Sequence, residues 1–208
     1  MSIFITFEGI EGSGKTTQLR RLALHLRNAG RAVMETREPG GTAAGIAIRQ
    51  LLLGEAPVAL TPFAELLLYL ADRAQHVAER IRPALEAGQV VLCDRFSDST
   101  IAYQGFARGL DLATVRQLDT HARGGLLPDV TFLLDLDVAQ GLRRARARAA
   151  AADRFETAPV DFHDRVRQGL LRLAADYPLR FQIIDSSADP DAVAERVASE
   201  VDRRLARR

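Results

Sequence analysis

The sequence predicts an α/β fold in which a five-stranded parallel sheet carries helices on both faces. Short, almost continuously apolar runs alternate along the chain with longer segments of helical periodicity. Strands of that composition are buried on both sides, which is typical of parallel sheets placed between layers of helices. The length of 208 residues suits one domain, residues 1–208. We therefore expect a single three-layer α/β domain.

The first predicted strand, residues 3–7, leads directly into a glycine-rich loop. In the helix predicted next, residues 16–28, apolar residues recur at i, i+3, i+4 and i+7 from Leu19, and Gly30 ends the pattern. Further strands are predicted at residues 32–36, 89–94, 130–136 and 180–184. Further helices are predicted at residues 62–85, 113–123, 138–152, 161–175 and 191–205.

Charge and cysteine content exclude several classes of protein. The 28 basic residues nearly match the 27 acidic ones, giving a net charge of +1, whereas strong binders of nucleic acid or of membrane surfaces usually carry a basic excess. The single cysteine, Cys93, lies in an apolar run and is expected to pack in the core. The first strand begins at once and no apolar stretch approaches ~20 residues, so we expect no signal peptide, no membrane span and a cytoplasmic location.

A phosphate-binding loop is the strongest local motif. Residues 9–16 read GIEGSGKT and match G-x-x-x-x-G-K-[ST] between a predicted strand and a predicted helix. In such loops backbone N–H groups and the helix N-terminus surround a phosphate chain, the lysine neutralises its charge, and the Ser/Thr hydroxyl ligates Mg²⁺. The candidate ATP-binding residues are Gly9, Ile10, Glu11, Gly12, Ser13, Gly14, Lys15, Thr16 and Thr17.

Lys15 is the only lysine in the chain, and the other 27 basic residues are arginines. A genomic preference for arginine accounts for the surface but not for the one lysine that remains. An ammonium group is a compact charge on a slim stem, whereas a guanidinium is a broad planar fork. A narrow loop around phosphates accepts the first and not the second.

The loop alone does not separate kinases from nucleotide switches or motors. A guanine-specific switch carries N-K-x-D, but the only asparagine, Asn28, is not followed by lysine. Arg37 and Arg95 instead follow the second and third strands, at the sheet edge where ligands bind. Such arginines suit a reaction between two anionic substrates. The histidines show no metal or triad spacing, so surface positions are expected for His25, His76, His121 and His163.

Four strings of residues resemble those of the bacterial thymidylate kinases. They are FEGIEGSGKTT at 7–17, TREPGGT at 36–42, DRF at 94–96 with AYQG at 102–105, and DRFE at 153–156. In this order they are very specific, and the similarity spans essentially the whole chain. The resemblance implies a nucleoside monophosphate kinase fold with a small helical lid at about residues 142–157. It also implies transfer of the γ-phosphate of ATP to dTMP, giving dTDP for dTTP biosynthesis, with Mg²⁺ and a homodimer.

The resemblance also implies roles for residues around the acceptor. Glu11 corresponds to the acid that approaches the sugar 3′-hydroxyl or the metal shell, with a solvated loop residue as the alternative. Arg95, aided by Arg37, corresponds to the arginine on the acceptor phosphate, with surface ion pairing, for instance of Arg37 with Glu38, as the alternative. Asp94 corresponds to the carboxylate that holds Mg²⁺ through water, beside Thr16.

Tyr69 and Arg73 lie four residues apart and therefore share one helix face. The resemblance implies that this pair stacks on thymine and bonds its carbonyl; a core-edge tyrosine beside a solvated arginine is the alternative. Further positions implied to read the base and the sugar 2′ side are Ser99, Thr100, Tyr103 and Gln104, with Arg108 a weaker candidate.

The lid is implied to carry a catalytic arginine. Family members with glycine at the position of Gly12 place this residue in the lid, and Arg154 is the candidate. Residues 149–152 are slightly longer than expected, which leaves open which lid arginine reaches the phosphates. The other candidates, several of them expected to be solvated, are Arg143, Arg144, Arg146 and Arg148.

Two other functions stay open on the sequence alone. One is a kinase with another acceptor, and the other is a nucleotide-binding module without enzymatic activity. A homodimer would find apolar surface in the leucine runs at 51–53 and 66–68, although those leucines could equally all be core.

Overall fold

The computed structural model describes residues 2–54, 59–148, 155 and 158–206. The strands are β1 (Ile3–Glu8), β2 (Val33–Arg37), β3 (Val90–Asp94), β4 (Val130–Asp135) and β5 (Phe181–Asp185). The helices are α1 (Lys15–Asn28), α2 (Ala43–Leu53), α3 (Pro62–His76), α4 (Arg82–Glu86), α5 (Ser97–Thr100), α6 (Leu112–Ala122), α7 (Val138–Arg148), α8 (Val160–Asp176) and α9 (Pro190–Leu205). Two π-helical segments, Val77–Ile81 and Ile101–Ala107, continue α3 and α5.

The strands form one parallel sheet in the order β2-β3-β1-β4-β5. Each of the five predicted strands is confirmed, with ends that differ by one residue at most. The register places both Phe7 and Arg37 beside Asp94, so the carboxyl ends of β1, β2 and β3 lie side by side. That edge, where the strand order reverses, is where open α/β sheets bind ligands.

The core lies on both faces of the sheet because alternate residues of β1 point in opposite directions. Ile3, Ile5 and Phe7 pack with apolar residues of α1 and α9 on one face. Phe4 packs on the other face with the π-helical segment that follows α3. Burying each of these large side chains contributes about 1.5–3 kcal/mol, so the alternation itself fixes helices on both sides of the sheet.

Two helical regions were not predicted. The first, α2, is capped by Thr42, whose side chain accepts a hydrogen bond from the Gly45 N–H at 2.9 Å. The second is α5 with its π-helical continuation, where serine, threonine and glycine give weak helix propensity. Most of its side chains are buried and it packs against α8. Tertiary packing thus overrides local propensity there.

The remaining expectations on the fold have mixed outcomes. The helix predicted at 62–85 is present as α3, a π-helical segment and α4, and Cys93 is buried as expected. The helix predicted at 138–152 is present as α7 as far as Arg148. Residues 149–152 of that prediction and half of the predicted lid, residues 149–154, 156 and 157, lie outside the described residues. In the part of the chain that the structure describes, no helix is both long and apolar enough to cross a membrane.

Candidate active site

The phosphate loop connects β1 to α1 in a conformation that depends on glycine. Gly12 has φ +74°, and a Cβ there would come within 2.0 Å of the Gly141 carbonyl oxygen. Gly14 has φ +89° and stands at the N-cap of α1. Both values lie in the left-handed region, where a side chain is strained. This chain therefore has no room for a basic side chain at position 12.

Lys15 is held inside the loop by the loop itself. Its Nζ donates to the carbonyl oxygens of Gly9 at 3.0 Å and Ile10 at 2.8 Å, and to Ser13 Oγ at 3.3 Å. Three donors on one small head match three acceptors, which a planar guanidinium cannot do in the same space. Burial, reinforced by the charge of Arg95, lowers the pKa of Lys15 to about 8. A phosphate chain in the loop would raise this pKa and favour the charged form further.

Thr16 and Asp94 bring two oxygen ligands together at the mouth of the loop. The Thr16 hydroxyl donates to Asp94 Oδ2 at 2.5 Å. Mg²⁺ takes one or two protein oxygens and completes its shell with water and phosphate oxygens. A hydroxyl and a carboxylate in contact beside a phosphate loop fit that ion.

Arg95 reaches the phosphate loop from an unusual backbone conformation. Its φ is +69°, and the turn is fixed where the Phe96 N–H donates to Glu8 Oε1 at 2.8 Å. The guanidinium donates to the Gly9 carbonyl oxygen at 3.1 Å and to Glu11 Oε1 at 3.0 Å. A non-glycine residue with positive φ is strained by about 1 kcal/mol or more and persists where its surroundings demand it. Arg95 is thus directed at the phosphate loop, and its ion pair is with the buried Glu11 and not at the surface.

Glu11 is not a solvated loop residue. Its carboxylate accepts hydrogen bonds on Oε1 from Tyr103 Oη at 2.5 Å and from Arg95, and on Oε2 from His163 Nδ1 at 3.0 Å. Burial opposes its ionisation, but the His163 hydrogen bond and the charges of Arg95 and Lys15 outweigh burial and hold the pKa of Glu11 below its usual range. The phosphate loop therefore presents a fixed negative charge.

Arg73 is fully buried, with 1% of its surface exposed. Its Nε donates to Glu38 Oε2 at 2.9 Å, Nη2 lies 2.8 Å from the same oxygen, and Nη1 donates to Thr100 at 2.9 Å and to Asp119 at 2.7 Å. The guanidinium also stacks 5.1 Å above the Phe96 ring. The alternative of a solvated arginine is therefore wrong. Among the described residues Glu38 is the one partner of Nη2, so a second N–H remains for a ligand.

Other residues predicted to bind the phosphate-accepting substrate lie on α5 and its π-helical continuation, residues 97–107, together called the α5 region. Ser99 Oγ donates to Glu8 at 2.5 Å, and Gln104 Nε2 donates to Glu65 at 2.8 Å. Arg108 also pairs with Glu65, at 3.1 Å. These side chains are therefore positioned before any ligand arrives, which limits the entropy lost on binding.

One cleft of about 540 Å³ brings most of the predicted residues together. Predicted residues in its lining are Glu11, Gly12, Gly14, Lys15, Thr16, Arg37, Tyr69, Arg73, Asp94, Arg95, Ser99, Thr100, Tyr103 and Gln104. Gly9, Ile10 and Ser13 are buried within the loop and accept the hydrogen bonds of Lys15. A second cleft of about 380 Å³ is lined by Thr17, Arg144 and Ser186, and shares Gly12 and Gly14 with the first. Arg154 lies outside the described residues.

Two of the four expected surface histidines are fully buried, so that prediction is wrong for His76 and His163. His76 Nδ1 lies 2.9 Å from Glu38 Oε1, and its Nε2 lies 2.6 Å from Thr36 Oγ1. The sequence did indicate burial of His163, because this residue shares the apolar stripe of its helix with Val166 and Leu170. The absence of spacing typical of a metal site or a catalytic triad bears on catalysis and says nothing about whether a histidine is buried.

Sequence reasoning also missed the acids that hold the arginines. Glu38 pairs with Arg73 and His76, not with Arg37 as the ion-pair alternative supposed. Asp119 on α6 binds Arg73, Arg123 and the Ser97 hydroxyl. Nothing in the sequence near Asp119 distinguishes it from a surface acid of an amphipathic helix.

A phosphate loop at the end of β1, facing a second arginine-lined pocket in the same cleft, defines a P-loop kinase of the nucleoside monophosphate type. The family model described as Thymidylate kinase matches residues 7–197. A thymidylate kinase of Solidesulfovibrio magneticus is 56% identical over 201 residues, covering 94% of this chain and 96% of that protein. One of Geobacter sulfurreducens is 52% identical over 213 residues, covering 100% of both chains.

A solved structure gives the same result. The crystal structure of thymidylate kinase from Ehrlichia chaffeensis matches with a TM-score of 0.78 and 36% identity, covering 96% of this chain and 98% of that one. The chain belongs to the thymidylate kinase family.

Proposed function

We propose that the 540 Å³ cleft is where this chain transfers the γ-phosphate of ATP to dTMP, giving dTDP and ADP. Membership of the thymidylate kinase family supports the reaction. The observation that carries the location is Arg73, a buried arginine with a donor left for a ligand, in the same cleft as Lys15. The cleft thus offers a phosphate-chain site and a hydrogen-bonding base site together.

On the donor side, the N–H groups of the phosphate loop and Lys15 hold the β- and γ-phosphates. Thr16 and Asp94, the latter through water, hold Mg²⁺, which supplies charge neutralisation to the phosphate oxygens when bound. Thr17 lines the second cleft, which lies next to the same loop and suits the rest of the ATP molecule.

On the acceptor side, Arg95 and Arg37 bind the dTMP phosphate and Glu11 accepts a hydrogen bond from the sugar. Tyr69 stacks on thymine while Arg73 donates to its carbonyl oxygen. The residues of the α5 region close the pocket around base and sugar: Ser99, Thr100, Tyr103 and Gln104. A pocket of fixed donors rejects a base with the wrong pattern, because mismatched polar groups stay unpaired.

The chemistry needs alignment more than acid–base catalysis. A phosphate oxygen of dTMP is already a nucleophile; it forms a bond to the γ-phosphorus as the bond to the leaving oxygen of ADP breaks. The protein aligns the two anions and neutralises their charge. We assign Arg154 to the charge on the transferring group, supported by its position in the DRFE string and by the absence of space for a side chain at Gly12.

A homodimer in the cytoplasm completes the proposal. Of the leucine runs, Leu52 and Leu66 are core, whereas Leu51 and Leu67 are each 46% exposed on the packed helices α2 and α3. An exposed apolar patch of that kind suits a second copy of the chain. Sedimentation of the wild type should give a dimer and Leu67→Glu a monomer; a monomeric wild type would contradict the assignment.

The reaction is tested by ADP release from purified protein with Mg·ATP and six acceptors: dTMP, dUMP, UMP, CMP, AMP and GMP. We expect strong preference for dTMP. Preference for another acceptor would keep the phosphate loop and kinase chemistry but overturn the base site. Failure with all six would leave only nucleotide binding.

A further inference from the structure

A buried histidine on α8 contacts the acid of the phosphate loop. His163 is 0% exposed, and its Nδ1 lies 3.0 Å from Glu11 Oε2, a contact between residues 152 positions apart in the sequence. The two oxygens of Glu11 are used differently. Oε1 faces Arg95 and Tyr103, which line the cleft, whereas His163 is the partner of Oε2 within the described residues.

The contact fixes the proton on the imidazole. A carboxylate has only acceptors, so Nδ1 must carry the hydrogen. Nε2 is buried and has no hydrogen-bond partner among the described residues. His163 therefore carries a proton on Nδ1 in this contact.

We propose that His163 is a positioning residue for the dTMP site: it holds Oε2 of Glu11 so that Oε1 stays turned toward Arg95 and the bound sugar. The inference rests on the proposed function, because it takes Glu11 and Arg95 as acceptor-side residues. Without the donor, Oε2 would be a buried, unsatisfied carboxylate oxygen. The carboxylate would then rotate, and Arg95, which shares it, would move as well.

Packing alone is the competing explanation. His163 meets Phe162 edge-on, with ring centroids 5.6 Å apart, so any loss of the ring could disturb α8. Two substitutions separate the explanations. His163→Phe keeps a ring of similar volume and removes the donor, whereas His163→Asn gives up the ring but keeps an N–H near the position of Nδ1.

Steady-state kinetics with dTMP and Mg·ATP form the first test. In His163→Phe we expect KM for dTMP to rise about tenfold or more, the size expected when a hydrogen bond to a buried charge is removed, with KM for ATP within about twofold. His163→Asn should restore most of the dTMP affinity. His25→Asn is the matched control, since His25 pairs with Asp202 at the surface. Equal impairment of both His163 variants would overturn the proposal.

A double-mutant cycle with Glu11→Ala gives the readout that packing would not change. Once the acceptor is gone, His163→Phe should alter kcat/KM for dTMP by less than about twofold. If His163→Phe costs as much in the Glu11→Ala background as in the wild type, His163 does not act through Glu11.

A spectroscopic measurement remains informative even if a variant folds poorly or the proposed reaction is absent. Nitrogen-15 NMR of the wild-type imidazoles should show a proton on Nδ1 of His163, and Glu11→Ala should shift that resonance. A bare Nδ1, with the only ring proton on Nε2, would overturn the contact. Absence of dTMP turnover with the Nδ1 proton present would refute the proposed function, while unchanged dTMP kinetics in His163→Phe would refute the positioning role alone.

Discussion

The two halves of the cleft are built in opposite ways. The donor half is one continuous loop, residues 9–16 apart from Glu11, which offers backbone groups and one lysine held by the loop's carbonyl oxygens. The acceptor half takes side chains from distant segments and locks its charges into buried pairs, such as Arg73 with Glu38 and Asp119. The first half is local and the second depends on the whole fold.

This difference in construction separates two tasks: binding of a phosphate chain, which all nucleoside triphosphates share, and selection of one particular acceptor. Backbone N–H groups bind any nucleotide phosphate chain. Buried pairs, by contrast, are strongly destabilised when one partner is removed, because a charge is then left alone. Changes in the donor half should therefore act on turnover, and changes in the acceptor half on the choice of acceptor.

The largest expected effect comes from removal of the lid arginine, which we expect to act with the donor half on the transferring phosphoryl group. Arg154→Ala should lower turnover by about 10³-fold or more, because it removes the charge that stabilises the transferring phosphoryl group. KM for dTMP should change little. Fixed-time assays of ADP release measure turnover and KM for dTMP, with Arg203→Ala on the exposed face of α9 as the control. An unaltered turnover number would remove Arg154 from the mechanism.

The next effect tests the single lysine. Lys15→Ala should lower turnover by about 10²–10³-fold, as loss of one charge-stabilising donor does in other enzymes. Lys15→Arg should restore little of it, since a planar guanidinium cannot replace the compact ammonium in the loop. If arginine restores full turnover, the loop is wider than its carbonyl contacts indicate.

The smallest effect concerns Glu8, whose carboxylate accepts hydrogen bonds from the Phe96 N–H, next to Arg95, and from Ser99. Burial, aided by the charge of Asp98, raises the pKa of Glu8 from 4.5 to about 7. Between these two values the folded chain holds a proton that the unfolded chain has lost, so the free energy of unfolding falls as pH rises from about 4.5 to about 7. The fall from this group is about 3 kcal/mol at most.

Urea unfolding at pH 5 and pH 7.5 measures that fall. Glu8→Gln, which does not titrate, should show a smaller fall than the wild type. Part of the fall should remain, because burial and the charge of Glu38 also raise the pKa of Asp72, to about 6. Identical pH dependence in the two proteins would mean that Glu8 keeps its charge in the core.

The same contrast explains what could be predicted from the sequence. The strands and the phosphate loop follow from local patterns, because an apolar run or an eight-residue motif carries its own structure. The positions of Arg73 and Glu11 in the cleft required the family resemblance. The roles of Asp119 and His163 could not be predicted, although the burial of His163 could, because these roles depend on partners 46 and 152 residues away. The α5 region, with weak propensity, was missed for the same reason.

The most direct measurement is the ratio of kcat/KM for dTMP to that for dCMP, in the wild type and in Arg73→Lys. Thymine presents a carbonyl oxygen where cytosine presents an amino group, and a guanidinium N–H pairs only with the first. Lysine keeps the buried charge but cannot serve Glu38, Asp119 and a ligand in one geometry. We expect the ratio to fall by about tenfold or more in Arg73→Lys, with KM for ATP unchanged. An unchanged ratio would show that Arg73 only stabilises the fold and that the base is selected elsewhere.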